Sequence, residues 1–392
     1  MKIISALLAL LLLTVPAYAD ETTSLPDVTT AVTVPVSETT TENSAEETVT
    51  IPDFDDSQEQ VIITEAGEVT IYRGETELDL KTFEDWTYFI NEDGFVSVTK
   101  YSGQAEDLTI PEEIEGITVN NIRSRALEEN TTLKNLYLPS TLTSIDDYAF
   151  WGIMPENIYI DESNEIFKSV DGILFNKDET AIIRYPTGRA DKSYTIPETV
   201  VRIGACAFYR GWNLEEIILP SNLYSIDPYA FAFCSSITNI DFPDTVVEIF
   251  DYAFVSCKRL GNVTLPPNII AIYEGTFARC TSFTKITIPS NILEVGYGAY
   301  MECSNVRELN IADDNQLQNV LEYSFSGMPN LKEIRLMGNT KVNENAFGVI
   351  FNSSYEPTFL KDLRIICQEG SSIDSYAQTN GITVAYEGDP IT

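Results

Sequence analysis

The sequence predicts a β-rich solenoid: short coils stacked in register, with a parallel sheet on one face and turns or short helical segments on the other. Three observations lead there. Fifteen-residue blocks recur with the same residue at six places and apolar residues at the same further places, "YAFAFCSSITNIDFP" from Tyr229 and "YAFVSCKRLGNVTLP" from Tyr252. The recurrence keeps one offset, because Phe208, Phe231, Phe254, Phe277 and Tyr300 are each 23 residues apart, as are Ile196, Leu219, Phe242, Leu265, Ile288 and Ile311. Each block also ends its apolar run at the same place, usually on a proline. A period of that length held through consecutive units is one supersecondary unit stacked on copies of itself.

The spacing assigns the parts of the unit. In "LGNVTLP", Val263 and Leu265 alternate as a strand requires, and Thr264 faces out. Pro266 ends the strand because it has no N–H for the ladder. Ile269 and Ile272 then turn back inward, and Phe277 follows on a tight turn or short helical segment. One coil is too thin to bury its own apolar face, so its neighbours must cover it. The block appears again at 125–139, 206–220, 275–289 and 298–312. Stacking in register would place all the strands in one parallel sheet.

Written as L-x-x-I-x-[IL]-P-x-x-[VIL]-x-x-I-x-x-x-A-F-x-x-C, the unit resembles the BspA-type leucine-rich repeat of bacterial and protist surface proteins. The resemblance runs from about Leu108 to Ile365, and the stretch Glu165–Pro197 resembles an insertion of that family. It implies a leucine-rich-repeat solenoid and adhesion to host or matrix components or to other microbes. The pattern departs in places. Tyr300 replaces Phe, Phe325 comes 25 residues later, and Leu363–Ile365 lie 29 past Ile334–Leu336.

The flanks read in chain order. Residues 1–19 have Lys2, an apolar run from Ile3 to Leu13 and Ala17-Tyr18-Ala19, the pattern of a secretory leader. The apolar run falls short of the roughly 20 residues that span a bilayer, so no membrane insertion is expected. Residues 20–60 are rich in Thr, Ser and Glu without aromatic periodicity and read as a disordered linker. Residues 61–104 read as a β-rich cap in which "DWTYFIN" and "FVSVTKY" form a hairpin through Glu92-Asp93-Gly94. Residues 105–366 read as the solenoid, about ten coils with a hairpin insertion at about 161–192, and 367–392 as a terminal cap and tail.

Composition narrows the function. A net charge of −36 disfavours nucleic acid and anionic membrane surfaces, which bind through Lys and Arg. No histidine is present, which removes Ser-His-Asp and Cys-His arrangements and His-ligated zinc. The reading is a secreted, monomeric, non-catalytic protein needing no cofactor, with an extracellular protein or glycan as partner. A spacer in the cell envelope is the rival reading, and a carbohydrate-active enzyme a distant one.

Four residue sets stand out. Cys234, Cys257, Cys280 and Cys303 share the 23-residue spacing. Stacked rungs keep their Cβ vectors parallel, which favours buried thiols over vertical disulfides, and both over a metal or catalytic role. Tyr148, Tyr229, Tyr252 and Tyr323 precede the Phe slot and form either a strip for sugars or partners, or shields for the core. Cys206, Gly275 and Gly298 interrupt that strip, which favours shielding. The outward strand slots are Thr109, Tyr137, Thr195, Ile218, Asp241, Thr264, Thr287, Asn310, Arg335 and Arg364, the candidate binding surface. Toward the C-terminus this row, with Arg307, Lys332 and Lys361 beside it, turns basic, which reads either as a dock for an acidic partner or glycan or as local balance with Glu308, Glu333 and Asp362, the second being favoured. "NEDGF" at Asn91 and "ADDNQ" at Ala312 lack the calcium-loop pattern and read as turns.

Overall fold

The structure is a computed structural model. It describes residues 78–128, 130–351 and 357–386, with the backbone of three upstream strands. The chain divides into two units, Met1–Asp79 and Leu80–Thr392. In the first, Thr48–Val49, Glu59–Ile63 and Val69–Arg73 form an antiparallel sheet in chain order. The leader expected at 1–19 lies outside the described residues. So does the linker expected at 20–60, apart from its two stretches of strand at 48–49 and 59–60.

The second unit opens on the expected hairpin, Trp86–Ile90 against Val96–Tyr101, with Lys81–Phe83 on its outer edge. Asn91 holds the turn. Its Oδ1 accepts from Phe95 N–H at 2.9 Å, its carbonyl accepts from Gly94 N–H at 2.9 Å, and Gly94 sits at φ +83°. Trp86, Tyr88, Val96 and Val98 face the core, and Val96–Tyr101 pairs in parallel with Ile117–Ile122. The hairpin is thus the first layer of the stack.

The chain then winds through about 12 turns. On one face the strands pair parallel and in register. Asp107–Thr109, Asn135–Leu138 and Asn157–Ile160 form a first segment, and Ser193–Thr195 with Glu216–Ile218 a second. Lys285–Ile288, Glu308–Ile311, Glu333–Arg335, Arg364–Cys367 and Thr383–Tyr386 form a third. Burial alternates along them, with Ile286 and Ile288 inside and Lys285 and Thr287 outside. A second face carries two-residue strands, among them Arg202–Ile203, Ser225–Ile226, Ala271–Ile272 and Glu294–Val295.

Two features differ from the one continuous sheet that the period predicts. The insertion separates the first segment from the second. Its strands Phe167–Val170, Ile173–Asn176 and Ala181–Arg184 are each antiparallel to the next, and the last pairs in parallel with Arg202–Ile203. The insertion therefore rejoins the second face and supplies a rung there. Further on, Asn239 makes one isolated bridge and residues 262–264 make no strand. At that gap the Asn262 side chain stands in for a backbone carbonyl, its Oδ1 accepting from Thr284 N–H at 2.9 Å and Lys285 N–H at 3.1 Å.

The core is an aromatic column. Phe208, Phe231, Phe254, Phe277, Tyr300, Phe325 and Phe347 stack with successive centroids 4.9, 5.1, 5.5, 5.4, 5.6 and 5.1 Å apart and planes at most 14° from parallel. Tyr185 of the insertion extends the column, 5.1 Å from Phe208. At the far end Tyr376, on the helix Ser372–Thr379, closes it. Its Oη donates to Phe347 O at 2.7 Å and accepts from Phe347 N–H at 3.0 Å.

Backbone chirality explains the turns. Cys206, Tyr229, Tyr252, Gly275, Gly298, Tyr323 and Asn345 occupy one equivalent slot, all with φ between +55° and +59°. A left-handed residue costs an L side chain about 1–2 kcal/mol, so the slot alternates between glycine and residues whose packing offsets the strain. Gly275 is the tightest case. A Cβ there would lie 2.3 Å from two ring carbons of Tyr252. Gly275→Ala is expected to cost about 1–3 kcal/mol in urea unfolding, because Tyr252 must leave its place and its bond to Glu274. Gly298→Ala, with no atom closer than 3.7 Å, should cost less.

Candidate functional site

The outward row lies where the alternation puts it. Thr109, Tyr137, Thr195, Ile218, Asp241, Thr264, Thr287 and Asn310 are exposed, and Arg335 is half-buried. Register joins them in runs, Thr109 to Tyr137, Thr195 to Ile218, and Thr287 to Asn310 to Arg335.

Arg364 does not share their column. Ile334 pairs with Ile365 and Arg335 with Ile366, so Arg364 lies beside Glu333 and Ile366 takes the outward slot. The expected offset of 29 is 31 in the structure. Alternation alone cannot catch the slip, since moving by two residues preserves which side chains face in.

The basic end is neutralised pair by pair. Arg335 Nε lies 2.8 Å from Asp313, Arg364 Nε donates to Glu333 at 3.1 Å, and Lys332 lies 3.6 Å from Asp362.

Of the aromatic strip, Tyr148 and Tyr229 are buried and Tyr252 and Tyr323 half-buried. Their rings are taken up by one another and by their neighbours. Tyr229 stacks on Tyr252 at 4.9 Å and meets Tyr148 edge-on at 6.1 Å, with Trp151 packed against both. Tyr252 donates to Glu274, and Tyr323 meets Tyr297 edge-on. They shield the turn side of the core and offer no continuous platform.

All six cysteines are free and buried. Cys234, Cys257, Cys280 and Cys303 each donate Sγ–H to the carbonyl of a Phe in the preceding coil, at 3.1, 3.2, 3.3 and 3.2 Å. Asn130, in the same slot, makes the corresponding bond to Ala105 O at 3.0 Å. Where the slot holds Cys or Asn the side chain donates to the preceding coil, while Gly211 and Met328 fill the same slot without a side-chain donor. Burial pushes the Cys234 thiol up to about 12 and raises those of Cys257, Cys280 and Cys303. Burial also raises Tyr209 and Tyr376 to about 12.

The sign of the pH effect follows. A thiol or phenol whose folded value exceeds its unfolded one stabilises the fold fully below the unfolded value, and that stability is lost as pH rises through the folded value. The melting temperature should therefore drop between pH 9 and 12, from the ordinary thiol value upward. A thiol reagent at pH 8 should label none of the cysteines before unfolding. Rapid labelling of the native protein would contradict the burial.

One buried group has no sequence signature. Arg184, on the last strand of the insertion, is almost wholly inaccessible. Its guanidinium donates to Cys206 O on one side of the insertion and to Ile153 O, at 3.0 Å, on the other. Among the described residues no carboxylate pairs with it and its Nε has no partner. Burial lowers its pKa to about 10, still charged at neutral pH.

Sequence reasoning also missed Tyr159. "NIYI" at Asn157–Ile160 repeats "NLYL" at Asn135–Leu138 at an offset of 22, one short of the period. Tyr159 thereby stands beside Tyr137. The rings stack at 5.3 Å and 22°, and are 39% and 40% exposed. Beside them lies a shallow depression of about 350 Å³ lined by Thr109, Pro111, Glu112, Tyr137, Tyr159 and Asp161, among others. Among the described residues, no cluster of His, Cys, Asp or Glu is placed to hold a metal, and no helix is long and apolar enough to cross a membrane.

Parallel strands in register with a free outward row, joined by turns that each bury one aromatic, define a leucine-rich-repeat solenoid. Comparison with known families makes this specific: the chain belongs to the BspA-type leucine rich repeat family, whose model matches six copies over residues 98–179, 190–307 and 224–355.

Among solved structures, a leucine-rich repeat protein from Eubacterium ventriosum is 20% identical, with a TM-score of 0.51. The match covers 62% of this chain and 63% of that one. At that identity the likeness shows the fold. A leucine rich cell surface protein from Faecalibacterium prausnitzii is 18% identical over 81% of this chain and 97% of that one, with a TM-score of 0.42. The pneumococcal vaccine antigen PcpA is 15% identical over 80% and 100%, with a TM-score of 0.39. No curated protein matches the chain.

Proposed function

We propose that this chain is a non-catalytic recognition protein acting outside the cell or at its surface, where its outward strand row docks a protein or glycan. The observation that carries this is the uncovered row itself, with Tyr137, Tyr159 and Ile218 each 39% exposed or more on a rigid, ladder-bonded face. Adjacent exposed apolar side chains, as Tyr137 and Tyr159 are, mark an interaction site more often than singly scattered ones do. The leader-like residues 1–19 support an extracellular site, and the lack of histidine supports a role without catalysis.

The experiment probes a glycan and extracellular-protein array with residues 20–392. A captured partner should be lost when Tyr137, Ile218 and Arg335 are changed to Ala together while the melting temperature holds. A partner retained by that variant would overturn the reading. The Thr-rich stretch at 20–60 favours a second reading, a spacer in the cell envelope. A spacer would tolerate the triple variant and lose its localisation when that stretch is deleted.

A further inference from the structure

We infer that the depression beside Tyr137 and Tyr159 is a subsite for a cationic side chain, an arginine presented by a partner protein. The inference rests on the recognition reading above and names the chemistry of one part of that surface. Three observations converge.

The register column here runs Thr109, Tyr137, Tyr159. Tyr159 covers one face of the Tyr137 ring. Thr109, the neighbour on the other side, is too short to cover the second. An aromatic face is thus left open over a notch about one strand spacing wide, near 4.8 Å. A planar guanidinium stacks on such a face and is drawn to its negative quadrupole.

The rim is anionic. Glu112 and Asp161 line the depression from opposite ends, and none of the described residues lining it is basic. Neither carboxylate is spent on an ion pair among the described residues: Glu112 accepts from Ser140 Oγ at 3.1 Å, and Asp161 accepts from Ser163 N–H at 2.9 Å and Ser163 Oγ at 2.6 Å. These three bonds hold the carboxylates in place and engage one oxygen of each, leaving the other for a guanidinium N–H.

The wider field agrees. The chain carries a net charge of −36, which speeds the approach of a basic partner. At the C-terminal end of the same face the arrangement is opposite, with Arg335 and Arg364 each held by an acid. The Tyr137 end combines aromatic rings with unpaired acids, and a basic partner complements it in charge.

The test titrates the intact chain with a short Gly-Ser peptide carrying two arginines, with its citrulline counterpart, and with neutral oligosaccharides, at low and moderate salt. The arginine peptide should bind about tenfold or more tightly than the citrulline peptide, since citrulline keeps the shape and loses the charge. Tyr137→Ala with Tyr159→Ala should weaken it by a similar factor. Glu112→Gln with Asp161→Asn should weaken it severalfold and flatten the salt dependence. Ile270→Ala, exposed beside the second-face strand Ala271–Ile272, should leave it unchanged.

Equal binding of the two peptides would overturn the inference, as would binding indifferent to the tyrosine pair, which marks diffuse attraction to an acidic surface. Binding of neutral sugars alone, lost with the tyrosines, would overturn the cationic subsite and leave the recognition surface standing. A partner from the array that survives the triple variant overturns the recognition reading itself.

Discussion

Phe254→Ala should remove about 3–5 kcal/mol of stability, read as a lowered midpoint in urea and a lowered melting temperature. Phe254 is wholly inaccessible, stacked between Phe231 at 5.1 Å and Phe277 at 5.5 Å, with Phe242 edge-on at 5.6 Å. Truncation deletes contacts on all three sides, and the ladder-bonded backbone resists closing the void. The form of the transition should change as well. A solenoid's stability is close to a sum of coil terms and nearest-neighbour terms, so weakening one interface uncouples the blocks on either side. Unfolding should then separate into two steps. Phe254→Tyr gives a control, because Tyr300 shows that the column accepts a phenol. A Phe254→Ala variant that loses under about 1 kcal/mol in one sharp transition would mean the column does not couple the coils.

Arg184→Ala is the second large loss, about 3–5 kcal/mol, and its interest lies in the comparison with Arg184→Met. Alanine leaves a large void and strands two buried carbonyls, Ile153 O and Cys206 O, at the place where the insertion joins the stack. Methionine refills most of the volume and removes a desolvated charge that no described carboxylate balances. Burying an unpaired ion costs more than two hydrogen bonds return, so the Met variant should recover more than half of the alanine loss. Equal losses for the two would show that the carbonyl bonds, which only a guanidinium makes, hold the insertion in place. Urea unfolding of the three proteins side by side decides between them.

Several parts of the candidate site were legible in the letters. The row from Tyr137 to Arg335 was read from period-two alternation inside a 23-residue repeat, because a strand buried on one side must alternate. The cysteine slot was legible from its 23-residue spacing, because stacked rungs keep their Cβ vectors parallel and so disfavour vertical disulfides. Tyr159 was not legible, because its rung follows at 22 residues and abuts the insertion. Arg364 was misplaced because the antiparallel pair Val349–Phe351 and Pro357–Phe359 interrupts the coil before it, and a slip of two keeps the pattern intact. The tyrosine strip was visible, but its role depends on φ. A left-handed slot filled by Tyr252 beside Gly275 is a packing arrangement, and no propensity distinguishes it from a row of exposed rings.

By itself, then, the sequence determined the coil: its length, its inward side chains, its proline stops and the stacking of one aromatic per turn. These follow from a repeat whose every copy meets an identical neighbour, so that local pattern and long-range contact are the same information. Tertiary structure alone decided how the chain pairs where the repeat is broken. It placed the insertion's last strand in the second face, brought Arg184 between two halves of the stack, seated Tyr159 against Tyr137 and set the register of Arg364. At a break the neighbour is no longer a copy, and the arrangement goes to whichever pairing buries the apolar face and satisfies the freed backbone groups.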